Sequence, residues 1–262
     1  MSKIAIITDS TAYIPPDLLE KYPIWVAPQV LIFGEETFED GVDIQPEEFY
    51  NRLQTESVNP STSQVTPASF NRFFSELVPQ DYEILCVLVS DKLSGTIDSA
   101  QQAREGFPDA KIEIVNSHSI AMALGFQALA AARAAEEGAD LAECKAVAEQ
   151  SRDHTGVVFA VATLEFLHRG GRIGGGARFL GTALNLKPIL EIRDGRVEAL
   201  ERVRTRKKSL GRLVELVEER TEGQSPIRIA TLHANAPEEA KEVLDEVSER
   251  VGAIEKVFSE VS

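Results

Sequence analysis

"YEILCVLVSDKLSGTIDSAQQAREGF", from Tyr82 to Phe107, decides the fold. Its opening, "YEILCVLVS", is almost wholly apolar, the pattern of a parallel strand covered on both faces and not of one alternating between core and solvent. "DKLSGT", Asp91 to Thr96, follows as a polar, hydroxyl-rich turn. A helix then runs through "GTIDSAQQAREGF". A buried strand feeding a helix is the unit from which parallel α/β layers are built.

The flanking sequence repeats that unit. "KIAIITDS" reads as a buried strand ending in a polar turn, and "PIWVAPQVLIFG" as one or two strands broken at Pro28. "PEEFYNRLQT" is a short helix with a proline start. "TPASFNRFFSEL" is a second, with Thr66 as cap, Pro67 at its first position and Phe70, Phe73, Phe74 and Leu77 in one apolar stripe. "AKIEIVN" is a strand, and alanine-rich helices follow at about Ile120 to Glu137 and Leu141 to His154. The pattern changes near Thr155. "GVVFAVAT" reads as a strand, and "KPILEIRDGRVEALERV" as a hairpin turning at Asp194-Gly195. "TRKKSLGRLVELVEERT" is a helix, and "PIRIATLHA", "PEEAKEVLDEVSERV" and "IEKVFSEVS" make strand, helix and strand. The expected fold is α/β: a mostly parallel α/β domain over 1–155, then a smaller α+β domain over 156–262 with an antiparallel component.

Composition narrows the chemistry. The chain has 262 residues, 43% hydrophobic and 26% charged, with a formal net charge of −15. A duplex-binding face needs a basic excess, so nucleic acid is not expected as a partner. Cys86 lies in an apolar run and Cys144 in an alanine-rich helix, which makes neither a disulfide framework nor a metal knuckle. No run of about 18 apolar residues occurs, so no stable membrane insertion is expected, and the expected location is cytoplasmic.

The catalytic motifs fail in specific places. Ser94 has Lys92 where the first glycine of Gly-x-Ser-x-Gly belongs, and Ser-x-x-Lys is absent. A triad would need His118, His154, His168 or His233 brought in by folding. "GARFLGTA" has the two glycines of a P-loop but Thr182 in place of its lysine, so nothing there neutralises terminal phosphates. Close packing of a helix on backbone is the other reading of that glycine cluster. No histidine pair has helical i, i+4 spacing and no Cys-x-x-Cys occurs, so no metal site is expected. Asp9, Asp40 and Asp43 fall near strand ends, where they either form turns or meet.

Two stretches carry hydroxyls without a base beside them: "NPSTSQVTP" (Asn59 to Pro67) and "DKLSGT". Each leads into a helix start, where free backbone N–H groups and a partial positive charge favour an anion. Capping alone accounts for either one. Together they also suit two donors gripping a carboxylate or phosphate without reacting with it.

On these residues the sequence resembles the DegV-type bacterial fatty-acid-binding proteins. The matching motifs are "TDST" (Thr8 to Thr11), "STSQ-TP" (Ser61 to Pro67), "LSGT" (Leu93 to Thr96), "NSHSIAMALG", "GGRI" (Gly170 to Ile173) and "RVRTRKK" (Arg202 to Lys208), in family order over nearly the whole chain. The resemblance implies a non-catalytic protein that holds a long-chain fatty acid, such as palmitate, stearate or oleate, as ligand and has no cofactor. It implies that Thr62 and Ser94 bind the fatty carboxylate in the first domain, supported by Ser63, Gly95, Thr96 and Arg172, while the second domain covers the acyl chain. It further implies a cytosolic fatty acid kinase subunit as partner, which makes an acyl phosphate for phospholipid synthesis. Arg202, Arg204 and Arg206, in the one basic cluster of an acidic chain, are the candidate surface for that partner. Asn116 stands where the family has aspartate. The family pattern also continues past "FSEVS" with a strand bearing a histidine and a Gly-Pro pair. The alternatives are a lipid esterase using Ser94 and a phosphate-ligand sensor using the same helix ends.

Overall fold

The computed structural model describes residues 3–56, 58–180 and 186–262. Thr182, in the P-loop-like stretch, lies outside the described residues. Two compact units are present: Met1–Thr155 together with Ser262, and Gly156–Val261.

The first unit is built in the order β1 (Lys3–Asp9), α1 (Pro16–Lys21), β2 (Ile24–Ala27), β3 (Val30–Phe33), β4 (Glu36–Glu39), α2 (Pro46–Thr55), β5 (Ser61–Ser63), α3 (Pro67–Leu77), β6 (Tyr82–Leu88), α4 (Thr96–Arg104), β7 (Ile112–Asn116), α5 (Ala121–Glu136) and α6 (Leu141–Arg152). Its main sheet has the order β2-β1-β6-β7, and every pairing is parallel. The apolar run of β6 has its predicted cause. Ile84, Cys86 and Leu88 join Ala5, Ile7, Phe70, Phe74, Leu77 and Ala100 in a core under α3 and α4. The alternate residues Leu85 and Val87 are equally buried, and α5 and α6 pack against β1, β6 and β7. With both faces covered, neither side-chain register of the strand can be polar.

Beside this sheet lies a second one, antiparallel, in the order β4-β3-β5. Ser61–Ser63 lies in a hydroxyl-rich stretch to which the sequence assigns no strand. In the structure it is an edge strand, with Thr62 opposite Leu31 and Ser63 opposite Val30. Three small polar residues carry no strand periodicity, so the strand exists because β3 offers a free backbone edge. The stripe on α3 behaves as its spacing predicts: Phe70, Phe74 and Leu77 are buried, and Thr66 Oγ1 caps the helix by accepting from Ser69 N at 3.1 Å.

The second unit holds β8 (Val157–Ala160), α7 (Glu165–Arg169), β9 (Lys187–Arg193), β10 (Arg196–Val203), α8 (Arg206–Thr221), β11 (Arg228–His233), α9 (Pro237–Val251) and β12 (Glu255–Glu260). β10, β9 and β8 form an antiparallel sheet, and β11 pairs with β12 in parallel. The hairpin turns at Asp194 (φ 50°) and Gly195 (φ 77°), the two left-handed residues that a primed two-residue turn requires. The glycine cluster resolves into close packing. A 3-10 turn at Gly174–Phe179 lies against β10, and a Cβ on Gly174 would sit 2.2 Å from Val197 O. Val214, Ile229, Leu244 and Val247 form the core between α8, β11 and α9.

Burial separates two phenylalanines of this chain. Phe74→Ala should cost about 3–5 kcal/mol, because the cavity lies in a fully packed layer. Phe166→Ala should stay within about 0.5 kcal/mol, since that ring is 51% exposed. Urea midpoints compared at constant slope check both; equal costs would contradict the layer assignment.

Candidate functional site

The strand order reverses direction around β1: the chain passes from β1 to β2 on one side, then returns to place β6 on the other. In open parallel sheets, ligand crevices form outside the strand carboxyl ends at such a switch. The residue there is Asp9, the last of β1, and it has no exposed surface. One carboxylate oxygen accepts from Val89 N at 2.7 Å, at the end of β6. The other accepts from Thr11 N at 3.1 Å, from the Thr11 hydroxyl and from Gln29 Nε2 at 3.3 Å. Burial pushes the Asp9 carboxyl above the ordinary carboxylate range, and the donors from Thr11, Val89 and Gln29 pull against that shift. Both oxygens face backbone donors, so the site is built for the ionised form. Among the described residues Asp9 has no ion-pair partner, and its charge is met by hydrogen bonds alone.

From Asp9 the network runs outward. Gln29, between β2 and β3, also donates through Nε2 to Thr96 Oγ1 at 3.1 Å, and Thr96 Oγ1 lies 2.9 Å from Ser94 Oγ. Thr96 is fully buried and Ser94 half-buried. Ser94 does not cap α4, whose N-cap residue is Gly95. Among the described residues the side-chain partner of Ser94 is Thr96, a hydroxyl without useful basicity. A parallel arm links Ser10 Oγ to Asp40 at 2.6 Å, with Gln29 N donating to Ser10 Oγ at 3.1 Å.

The two hydroxyl-rich stretches meet through Gln64. Its Nε2 donates to Ser99 Oγ at 2.9 Å, and its amide fills the space over Gly95, where a Cβ would lie 2.1 Å from Gln64 Oε1. Thr62 and Ser63, on β5 just before Gln64, are exposed. In the second unit Arg172 is exposed and donates to Gly170 O. Arg202 lies 4.9 Å over the Phe179 ring, Arg204 is exposed, and Arg206 is held by Glu239 at 2.7 Å and 2.9 Å. Arg206 is therefore not the free cation that its cluster suggests.

Asn116 keeps the turn that an aspartate would make, since its Oδ1 accepts from His118 N at 3.0 Å. Asp43 Oδ2 accepts from Glu39 N at 2.8 Å, a turn role. Among the described residues no three His, Cys, Asp or Glu side chains gather as metal ligands. A groove of about 650 Å³ lies at the amino ends of β1, β6 and β7. It is lined by charges of both signs from Lys3, Asp81, Glu83, Asp109 and Lys111, and it belongs to the sheet edge opposite the hydroxyl network.

Sequence reasoning missed Gln29 altogether and, beyond its place in the "TDST" motif, gave Asp9 no role but that of a turn residue or a metal ligand. The available signal was a single amide inside the apolar run "VAPQVLIF", a polar group needing a buried partner.

Residues 3–262 match the profile of a family described as uncharacterised protein, DegV family. A DegV domain-containing protein of Streptomyces coelicolor, SCO2569, is 37% identical over 249 residues, covering 95% of this chain and 88% of its own length. Two solved structures align over 99% of this chain. One is described as "Fatty Acid Binding of a DegV family Protein from Thermus thermophilus", with TM-score 0.91, 35% identity and 92% of that chain covered. The other is described as DegV, a fatty acid binding protein from Bacillus subtilis, with TM-score 0.89, 31% identity and 93% of that chain covered.

Gly95→Ala tests the Gln64 bridge. The new methyl should displace the Gln64 amide and break its bond to Ser99, at a cost near one hydrogen bond, about 0.5–1.5 kcal/mol. Amide exchange at Ser61–Ser63 should accelerate while the main sheet stays protected; unaltered exchange in that strand would refute the bridge.

Proposed function

This chain belongs to the DegV family, and from that premise we infer that it is a non-catalytic carrier of a long-chain fatty acid. It presents the carboxylate to a separate cytosolic ATP-dependent kinase, which forms an acyl phosphate for lipid synthesis. One observation carries the binding part: a fatty-acid-binding relative of 35% identity shares the fold over 99% of the chain. The hydrogen-bond network supports it, because it ends in the hydroxyl of Ser94, a group able to donate to an acceptor ligand.

On this reading Thr62 and Ser94 hold the carboxylate, with Ser63, Gly95 and Thr96 supporting them. Arg172 aids the head group, residues 156–262 cover the acyl chain, and Arg202, Arg204 and Arg206 face the kinase. These last roles rest on the family resemblance. No helix among the described residues is long and apolar enough to cross a membrane.

The energetics favour retention over turnover. A tail of about fourteen methylenes gains on the order of 11 kcal/mol on burial. Ordering the tail and association remove several kcal/mol. A bare buried carboxylate would cancel much of the remainder, so donors at its end are required. A hydroxyl beside another hydroxyl, without a base, supplies them and attacks nothing.

Purified protein examined by native mass spectrometry, then extracted under denaturing conditions, should release fatty acid in near-stoichiometric amount. Protein that carries none, and takes up none when offered palmitate, would overturn the reading. Ser94→Ala should weaken palmitate at least tenfold, the loss of a hydrogen bond to a charged group, with an unchanged thermal midpoint. Equal affinity in that variant would remove Ser94 from the site. A chromogenic acyl ester should not be turned over; hydrolysis abolished by Ser94→Ala would establish the esterase alternative.

A further inference from the structure

The hydroxyl network has a direction, and residues remote from the ligand set it. The two oxygens of Asp9 face the backbone N–H groups of Thr11 at 3.1 Å and Val89 at 2.7 Å. A carboxylate held in this way accepts only, so the Gln29 atom 3.3 Å from it is the amide nitrogen. The other hydrogen of that nitrogen goes to Thr96 Oγ1 at 3.1 Å. Thr96 has one proton to give. Gln29 Oε1 is 3.5 Å away, at the limit of a hydrogen bond, whereas Ser94 Oγ is at 2.9 Å. Thr96 therefore donates to Ser94, and Ser94 keeps its own proton for whatever it meets.

Resting on the fatty-acid reading, we propose that Gln29, anchored by Asp9, is a positioning residue that fixes the Ser94 hydroxyl as a donor and so selects a carboxylate head group over a hydroxyl one. Gln29 acts through Thr96 and does not touch the ligand. An alcohol head group can also accept from Ser94, but a carboxylate accepts about twice as strongly. A network free to reverse would let Ser94 accept from the alcohol and lose that preference.

Gln29→Glu reverses the chain. A glutamic acid beside Asp9 keeps one proton, shared with that carboxylate, because two adjacent carboxylates do not both ionise. Its second oxygen then accepts from Thr96, Thr96 accepts from Ser94, and Ser94 turns lone pairs outward. The experiment compares the affinities of palmitic acid and hexadecan-1-ol for the wild-type chain, Gln29→Glu and Gln29→Met, with thermal melts of each. The wild type should prefer the acid at least tenfold, and Gln29→Glu should cut that ratio at least tenfold. If Gln29→Glu does not fold, Gln29→Met decides: it adds no charge, frees Thr96 to point either way, and should lower the ratio on the order of threefold. A folded variant in which both ligands weaken equally, leaving the ratio unchanged, overturns the positioning role alone. A wild-type chain that binds neither ligand overturns the fatty-acid reading and this inference with it.

Discussion

A carboxylate buried at the end of a central strand, with no cation beside it among the described residues, is the constraint on which the site depends. Asp9 has no exposed surface, and among the described residues its charge is met only by hydrogen-bond donors. An unmet buried charge would cost far more than any one hydrogen bond returns. The backbone at Thr11 and Val89 and the side chain of Gln29 are therefore held to one arrangement. Because β1 and β6 flank the switch in strand order, that arrangement lies where an α/β sheet opens to ligands. One requirement thus both closes the sheet end and sets the geometry of Gln29, Thr96 and Ser94.

The hydroxyl network suits holding more than reacting. Ser94 meets Thr96, and neither histidine of the first unit, His118 or His154, is buried. A hydroxyl oriented by other hydroxyls and an amide is a fixed dipole, able to stabilise an acceptor at little reorganisation cost. A cationic site would grip an anion harder and release it less readily. Gln64 adds a second restraint by spanning from β5 to α4 over a glycine that has no side chain to obstruct it.

The second unit follows different rules. Its glycine cluster has the spacing of an incomplete P-loop, and the structure shows close packing instead, with the backbone of Val197 and the carboxylate of Glu198 lying against Gly174 and Gly175. Its basic cluster reads as a free patch until Arg206 is seen paired with Glu239. In a chain with net charge −15, many cations find carboxylates nearby, as Arg212 does with Glu201, Glu215 and Glu219. Composition therefore overstates how much positive charge is available to a partner.

The sequence by itself determined the layers. The unbroken apolar run of β6, the stripe Phe70, Phe74 and Leu77, and the Asp194-Gly195 turn are local patterns whose physical causes act within a few residues, and the structure realises all three. Thr66 as a cap was equally legible, because a cap bonds three residues ahead. The tertiary structure alone decided the rest. Ser61–Ser63 is a strand because β3 lies beside it, and three polar residues hold no record of that neighbour. Gln29 meets Asp9 across 20 residues and Thr96 across 67. Hydrogen bonds at such separations leave no periodicity in the chain; they exist only once the sheet has brought its strand ends together.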